Sequence, residues 1–239
     1  MEIEYFIKPG TNLEWHEKWK ADCRKFLIET LGIKKENLKF RDHGKDELSF
    51  YSNATTDVEY LFPNGWGELW GIADRTDYDL KAHMKESKVD LSYFDPYENT
   101  KFIPHVIEPS VGLTRLFLAI LCDSYDEIET EEGRRVIMRF QPSVAPVKVA
   151  VLPIVKKLNV EAMEIFNLLS KHFVCDYDET GAIGKRYFRQ DEIGTPFTIA
   201  VDGENFAQGQ VTVRHRDTGL QDIVKISELV EWVRERVMA

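Results

Sequence analysis

Apolar residues alternate with polar ones or recur at helical spacing in short blocks, and the blocks change character past the middle of the chain. Ile3–Ile7 reads as a strand. Asn12 reads as the cap of a helix running to about Thr30, with Trp15, Trp19 and Phe26 forming one core-facing stripe. Val58–Phe62 and Glu68–Ala73 read as strands flanking the Pro63-Asn64-Gly65 turn. Asp77–Met84 predicts a short helix, Phe102–Glu108 a strand, and Gly112–Cys122 a strongly apolar helix. Strands and helices mix here without simple alternation, which predicts an antiparallel sheet backed by helices, an α+β module.

The pattern changes at Gln141-Pro142-Ser143-Val144-Ala145-Pro146, where two prolines and small residues mark a boundary. Beyond it, Lys148–Val155 is a buried-strand run, and Val160–His172 carries Met163, Phe166, Leu168 and Leu169 at helical spacing, with Phe173 following. Phe173–Tyr177 predicts a second strand, and Ile183–Ile193 a helix entered through the Gly181/Gly184 turn. Phe197–Asp202 and Gln210–Arg216 alternate with period two, and Ser227 caps a helix over Glu228–Val237. Strand–helix–strand order implies a parallel or mixed sheet with right-handed crossovers, an α/β domain of about 90 residues. The expected domains are therefore 1–140 and 147–239.

Composition narrows the class. At 239 residues, 43% apolar and 30% charged, the chain is neither disordered, collagen-like nor disulfide-framed. No window approaches eighteen uninterrupted apolar residues, which excludes a transmembrane span, and the acidic, strand-like start reads as neither signal nor transit peptide. Cys23, Cys122 and Cys175 lie far apart, with no C-x-x-C and no histidine at ligand spacing, so free thiols in a reducing cytoplasm and no zinc site are expected. The net charge of −10 argues against wholesale coating of nucleic acid. From Val147 onward there are 12 Lys+Arg and 14 Asp+Glu, against 19 and 27 before it, so the acidity sits mostly in the first module.

Three segments carry candidate chemistry. In Ile103-Pro104-His105-Val106-Ile107-Glu108-Pro109-Ser110-Val111-Gly112-Leu113-Thr114-Arg115, an apolar strand ends in a carboxylate and turns into a greasy helix with an arginine in its first turns. Apolar neighbours predict that Glu108 and Arg115 are largely buried, either as a strand-to-helix salt bridge or as partners for an ammonium and a phosphate. In Gly65–Leu80, glycines alternate with large residues, so something approaches the backbone closely, a ligand or a neighbouring helix; Arg75, Asp77 and Asp79 follow, where helix capping by Thr76 or Asp77 is the plain alternative. In Asp178–Phe197, Lys185, Arg186 and Arg189 share a helix with Tyr187 and Phe188, and Arg214-His215-Arg216 adds basic groups on a strand. Basic and aromatic groups together suit single-stranded RNA, although Asp191 and Glu192 neutralise part of that face and a solvated charged helix remains the alternative. No Walker loop, G-x-G-x-x-G or G-x-S-x-G is present.

Taken together, these segments resemble the C-terminal part of class II glycyl-tRNA synthetase over essentially the whole chain. Ile107–Arg115 resembles that family's motif 3, Gly67-Glu68-Leu69 through Arg75–Leu80 its glycine- and adenylate-site segment, Asp178–Phe197 part of its anticodon-binding domain, and Met1–Glu4 the end of motif 2. The resemblance implies an α+β catalytic-core portion followed by an α/β anticodon-binding domain. It implies ATP with Mg2+, glycine and tRNA-Gly as substrates, a cytoplasmic location and no membrane. Glu2, Glu108 and Ser110 would hold glycine, whose selection rests on excluding any side chain. Glu68 and Leu69, the latter by its backbone, would meet ATP or the adenylate, and Arg115 would stabilise the γ-phosphate or departing pyrophosphate, making Glu68 and Arg115 the catalytic candidates. Lys185, Arg186, Arg189, Arg214 and Arg216 would meet the tRNA.

The family is homodimeric, yet motif 1, which builds its dimer interface, has no counterpart here, nor does the front half of motif 2 with its arginine for the ATP α-phosphate. Losing one such contact costs about 10²–10³ in rate, so these residues alone are expected to form glycyl-adenylate poorly and to need an N-terminal half carrying motifs 1 and 2. The other reading is a non-catalytic nucleic-acid-binding accessory factor of synthetase descent. Retention of Glu2, Glu68, Glu108, Ser110 and Arg115 together argues for the ligase.

Overall fold

The computed structural model describes residues 1–44, 46–48, 52–130 and 133–238. Contacts divide them into one unit of Met1–Glu29 with Ile33–Asp123 and a second of Thr30–Gly32 with Ser124–Ala239.

The first unit runs β1 (Tyr5–Ile7), α1 (Asn12–Lys25), β2 (Leu38–Asp42), β3 (Ala54–Phe62), β4 (Gly65–Thr76), α2 (Tyr78–Ser87), β5 (Tyr93–Asp95), β6 (Thr100–Phe102), β7 (His105–Val111) and α3 (Leu113–Ser124). Five strands form an antiparallel sheet in the order β1-β7-β4-β3-β2, and β5 pairs with β6 as a separate hairpin. Strand alternation sends Val58, Tyr60, Ile72 and Ile107 into the core. The opposite face carries Asp57, Gly71, Ala73, Glu108 and Ser110, none of them fully buried.

Helix α1 faces the sheet with Asn12, His16 and Cys23 rather than with the predicted aromatic stripe. His16 donates from Nε2 to Ile72 O at 3.1 Å, and Asn12 donates to Asp74 Oδ1 at 2.8 Å. Trp15 and Trp19 instead flank Tyr5 at ring-centroid distances of 4.8 and 5.4 Å, and Phe26 stays 38% exposed. Periodicity alone favoured the larger rings, but buried strand carbonyls and carboxylates need donors, and the polar face of α1 supplies them.

At the C-terminal end of α3, Asp123 is 5% exposed and gathers three donors: Lys34 N at 2.9 Å, Asn37 Nδ2 at 2.7 Å and Tyr60 Oη at 3.2 Å. Asp123→Ala leaves all three without their acceptor, and a loss of about 2–4 kcal/mol is expected by denaturant titration. A change under about 0.5 kcal/mol would show that water replaces the carboxylate.

The second unit runs β8 (Tyr125–Thr130), β9 (Gly133–Met138), β10 (Val149–Pro153), α4 (Asn159–Leu169), β11 (Cys175–Tyr177), α5 (Ile183–Ile193), β12 (Phe197–Val201), α6 (Gly203–Ala207), β13 (Gln210–His215), β14 (Gln221–Lys225) and α7 (Leu229–Val237). Its five-stranded sheet has the order β11-β10-β12-β13-β14, parallel across β11, β10 and β12 and antiparallel beyond, a mixed sheet with alternating helices. β10 and β12 are buried at every residue, as expected of central strands covered on both faces. Val149 and Val151 pack with Ile165 and Leu169 of α4 and with Leu229 and Val233 of α7 in one apolar core. The β8–β9 hairpin groups with this unit. Among the described residues, no helix is long and apolar enough to cross a membrane.

Candidate functional site

The open face of the first sheet is built by register. Glu2 bridges to Ser110, Ser110 lies opposite Gly71, and Gly71 lies opposite Asp57, making one row across four strands of backbone. In the next row, Glu108 lies opposite Ala73. Ser110 Oγ donates to Glu2 Oε1 at 3.4 Å. The floor at Gly71 has no side chain at all, and a Cβ placed there would meet only Glu68 Oε1, at 3.6 Å. Glu2, Glu68, Ser110 and Gly71 are therefore neighbours on one face although they are far apart in the chain.

The positive charge of this face comes from Arg75, to which sequence reasoning gave no role. Its guanidinium binds Asp79 through two bonds of 2.6 and 3.0 Å and reaches Glu108 Oε2 at 2.9 Å. This bidentate fork holds α2 against the sheet and holds Glu108 in place. The end of β4 bends to allow it. Its register against β7 shifts between Asp74 and Thr76, and Thr76 has φ 54. Partial burial lifts the Glu108 carboxyl above its usual range; Arg75 opposes the shift, and Glu4, Glu2 and Asp79 add to it. The Asp79 carboxyl is held below its usual range, chiefly by hydrogen bonding from Arg75.

Arg115 departs from expectation. It is exposed, not buried, and the salt bridge of Glu108 is made with Arg75. Since α3 buries Leu116 and Ala119, the helix turns Arg115 away from the core. Its guanidinium carbon lies 5.8 Å from the Phe62 ring centroid, and Nη2 lies 3.9 Å from the position of a Cβ on Gly67. Arg115 thus reaches over the glycine-rich start of β4, the strand that bears Glu68. Leu69 is 2% exposed, its side chain in the core, at the point where the β3–β4 register shifts by one residue.

In the second unit the five basic candidates separate. Arg186 is 3% exposed and donates to Pro153 O at 2.6 Å and Asp178 O at 3.2 Å. Arg216 is 4% exposed and donates to Gly194 O and Phe140 O, both at 2.8 Å, as well as pairing with Asp217. These two guanidiniums hold the domain's backbone together. Arg214 forms a fork with Asp191 at 2.9 and 3.1 Å, and Arg189 pairs with Asp178. Lys185 is exposed, as is Arg189. Among the described residues, no three or more His, Cys, Asp or Glu side chains group to hold a metal ion.

Residues 148–236, nearly all of the second sheet and its helices, match the family model of the anticodon binding domain. The unit that carries Lys185 and Arg189 is thus similar to anticodon binding domains. The whole chain is similar to glycine–tRNA ligases. It is 60% identical to that of Acetivibrio thermocellus over 233 residues, 97% of this chain and 50% of the relative. It is 56% identical to that of Ruminiclostridium cellulolyticum over 237 residues, 99% of this chain and 51% of the relative. It is 55% identical to that of Clostridium acetobutylicum over 238 residues, again 99% and 51%. The chain is a relative of the glycine–tRNA ligases along its length and spans about half the length of the curated relatives it matches, a C-terminal portion of them.

Proposed function

We propose that this chain supplies the glycine-holding face and the anticodon-reading domain of a glycine–tRNA ligase, acting in ATP-dependent activation of glycine and its transfer to tRNA-Gly. The observation that carries this reading is the row Glu2–Ser110–Gly71, with Glu108 beside it: charged and polar groups around a floor that lacks a side chain. An amino acid with nothing beyond its α-carbon fits such a floor, and its ammonium finds Glu2 and Glu108 as counter-charges.

Glu68 of β4 would meet ATP, and Arg115 of α3, which reaches over Gly67 of that strand, would stabilise the charge that builds on departing pyrophosphate. Mg2+ would arrive with ATP and draw most of its ligands from the phosphates, as that ion commonly does. Lys185 and Arg189 are the exposed basic groups through which α5 would meet the tRNA backbone. Arg214, braced by Asp191, would serve as a rigid edge of that surface, and Arg186 and Arg216 would hold its shape. The setting would be the cytoplasm, where tRNA is charged.

The test uses these 239 residues by themselves, with tRNA-Gly and an anticodon-substituted transcript. Binding at least about tenfold tighter to tRNA-Gly is expected, the discrimination one or two base contacts give. Glycine-dependent ATP–pyrophosphate exchange by these residues alone is expected to be slow, and to rise when the unmatched half of the Acetivibrio thermocellus relative is added. Equal binding of both transcripts, with no exchange in either condition, overturns the proposal. Lys185→Ala, at an exposed position, is expected to weaken binding of both transcripts alike and to lower the salt dependence of binding by about one phosphate contact.

A further inference from the structure

The open face holds one more carboxylate than the residues above account for. Strand β1 and the residues before it run antiparallel to β7, with Tyr5 opposite Ile107, Phe6 opposite Val106 and Glu2 bridged to Ser110. That register places Glu4 directly opposite Glu108. Ile3 N donates to Pro109 O at 3.0 Å and Val111 N to Met1 O at 2.9 Å, so the odd-numbered residues of this edge form the hydrogen-bonded pairs. Glu4 and Glu108 therefore form a non-hydrogen-bonded pair, the kind whose Cα atoms lie only about 4.5 Å apart and whose side chains crowd most closely. Like charges so placed oppose sheet formation.

The positive charge that offsets this pair is shared with other carboxylates. Arg75 of β4 has Nε on both Asp79 of α2 and Glu108 of β7, while Glu2 follows on the same edge as Glu4. Four carboxylates, Glu2, Glu4, Glu108 and Asp79, thus surround a single guanidinium. Among the described residues Glu4 makes no hydrogen bond or ion pair, although its neighbours are charged. Loss of water at this face lifts the Glu4 carboxyl above its usual range; Arg75 opposes the shift, and Asp79 and Glu2 add to it.

We propose that Glu4 is a further binding residue of the amino-acid site, its forced pairing with Glu108 being a repulsion that the ammonium group of the bound amino acid relieves. This inference rests on the glycine reading given above. It goes beyond that reading by giving Glu4 a role and by making ligand affinity depend on the ionisation of a carboxylate pair. A carboxyl whose folded-state pKa is raised costs stability when ionised, and the cost disappears as pH falls through the unfolded-state value. The ionised pair attracts the ammonium and the protonated pair does not, so affinity should fall on the acid side.

Glu4→Gln tests this, because a structural role and a binding role predict opposite stability changes. The variant is expected to raise Tm by about 1–3 °C at pH 7.5, by removing a like-charge contact, with the gain gone by about pH 4. Isothermal titration is expected to show glycine binding weakened about fivefold to tenfold at pH 7.5. The acid-side decline of affinity is expected to set in at lower pH than in the wild type, since Glu108 then titrates without its neighbour. A lowered Tm at pH 7.5, or wild-type glycine affinity with the same acid decline, overturns the role of Glu4 and leaves the glycine site standing. Absence of glycine binding by the wild-type chain instead overturns the glycine reading, and this inference with it.

Discussion

Gly194→Ala is expected to unfold the second unit at temperatures where the wild-type chain is intact, with a fall in Tm of more than about 10 °C. Gly194 ends α5 with φ 81, and its N–H donates to Asp191 O. A non-glycine residue in this left-handed region costs about 1–2 kcal/mol. Sterics add more. A Cβ here would lie 2.3 Å from Phe140 Cδ2, 2.8 Å from Phe140 Cε2 and 2.9 Å from the Met138 carbonyl oxygen. Phe140 has little room to retreat, being 6% exposed, with its carbonyl bound by the same Arg216 guanidinium that binds Gly194 O. Forcing a methyl into a packed site costs about a further 1–3 kcal/mol. The total, about 2–5 kcal/mol, is a large share of a domain's net stability of about 5–15 kcal/mol. Calorimetry would resolve the change as an early transition, and tRNA binding should be lost over the same temperature range. A Tm within about 2 °C of wild type would mean that Phe140 moves freely.

The same helix shows what a sequence discloses and what it hides. Ile183–Ile193 is readable because apolar spacing lies between a glycine turn and a left-handed glycine, and the helix occupies those very residues. Which charged residues it buries is not readable, because its buried face is polar: Arg186, Gln190 and Asp191. A buried arginine is disclosed by the carbonyls that receive it, and the nearer of the two, Pro153 O, comes from β10, far off in sequence. The β8–β9 hairpin escaped notice for a related reason. Its strands are joined across the pair by charges, Arg134 with Glu127 and Glu129, instead of by an apolar alternation. In the first unit, the residues of the open face stand out as motifs, but their charge partners do not. Glu108 has an arginine seven positions on, yet the one it binds is Arg75, brought alongside by strand register and by the bend at Thr76. Sheet pairing juxtaposes residues at separations that no local pattern encodes, and Glu4 and Glu108 are joined in that way too.

Gly71→Ala is expected to leave folding intact and to weaken glycine binding by about 10–100-fold. The two effects separate because of where the added methyl goes. Gly71 lies on β4 between Asp57 of β3 and Ser110 of β7, and its missing side chain would point to the open face. There it meets only the tip of the flexible Glu68 side chain at 3.6 Å, an ordinary contact, so Tm should stay within about 2 °C. A ligand seated against Ser110 and Glu2 would instead find the floor raised by a methyl group. Overfilling a snug contact costs about 1–3 kcal/mol, which is about tenfold to a hundredfold in affinity. Gly184→Ala provides the control, since that helical glycine has nothing within 4 Å of an added Cβ and lies in the other unit. It should leave glycine binding unchanged and stabilise slightly, as alanine does in place of glycine in a helix. If Gly71→Ala binds glycine like wild type, the amino acid is not held on this face of the sheet. If it loses binding together with stability, the glycine serves the strand's folding. Only loss of binding with an unchanged melt places the excluded volume at the ligand, where selection of the smallest amino acid requires it.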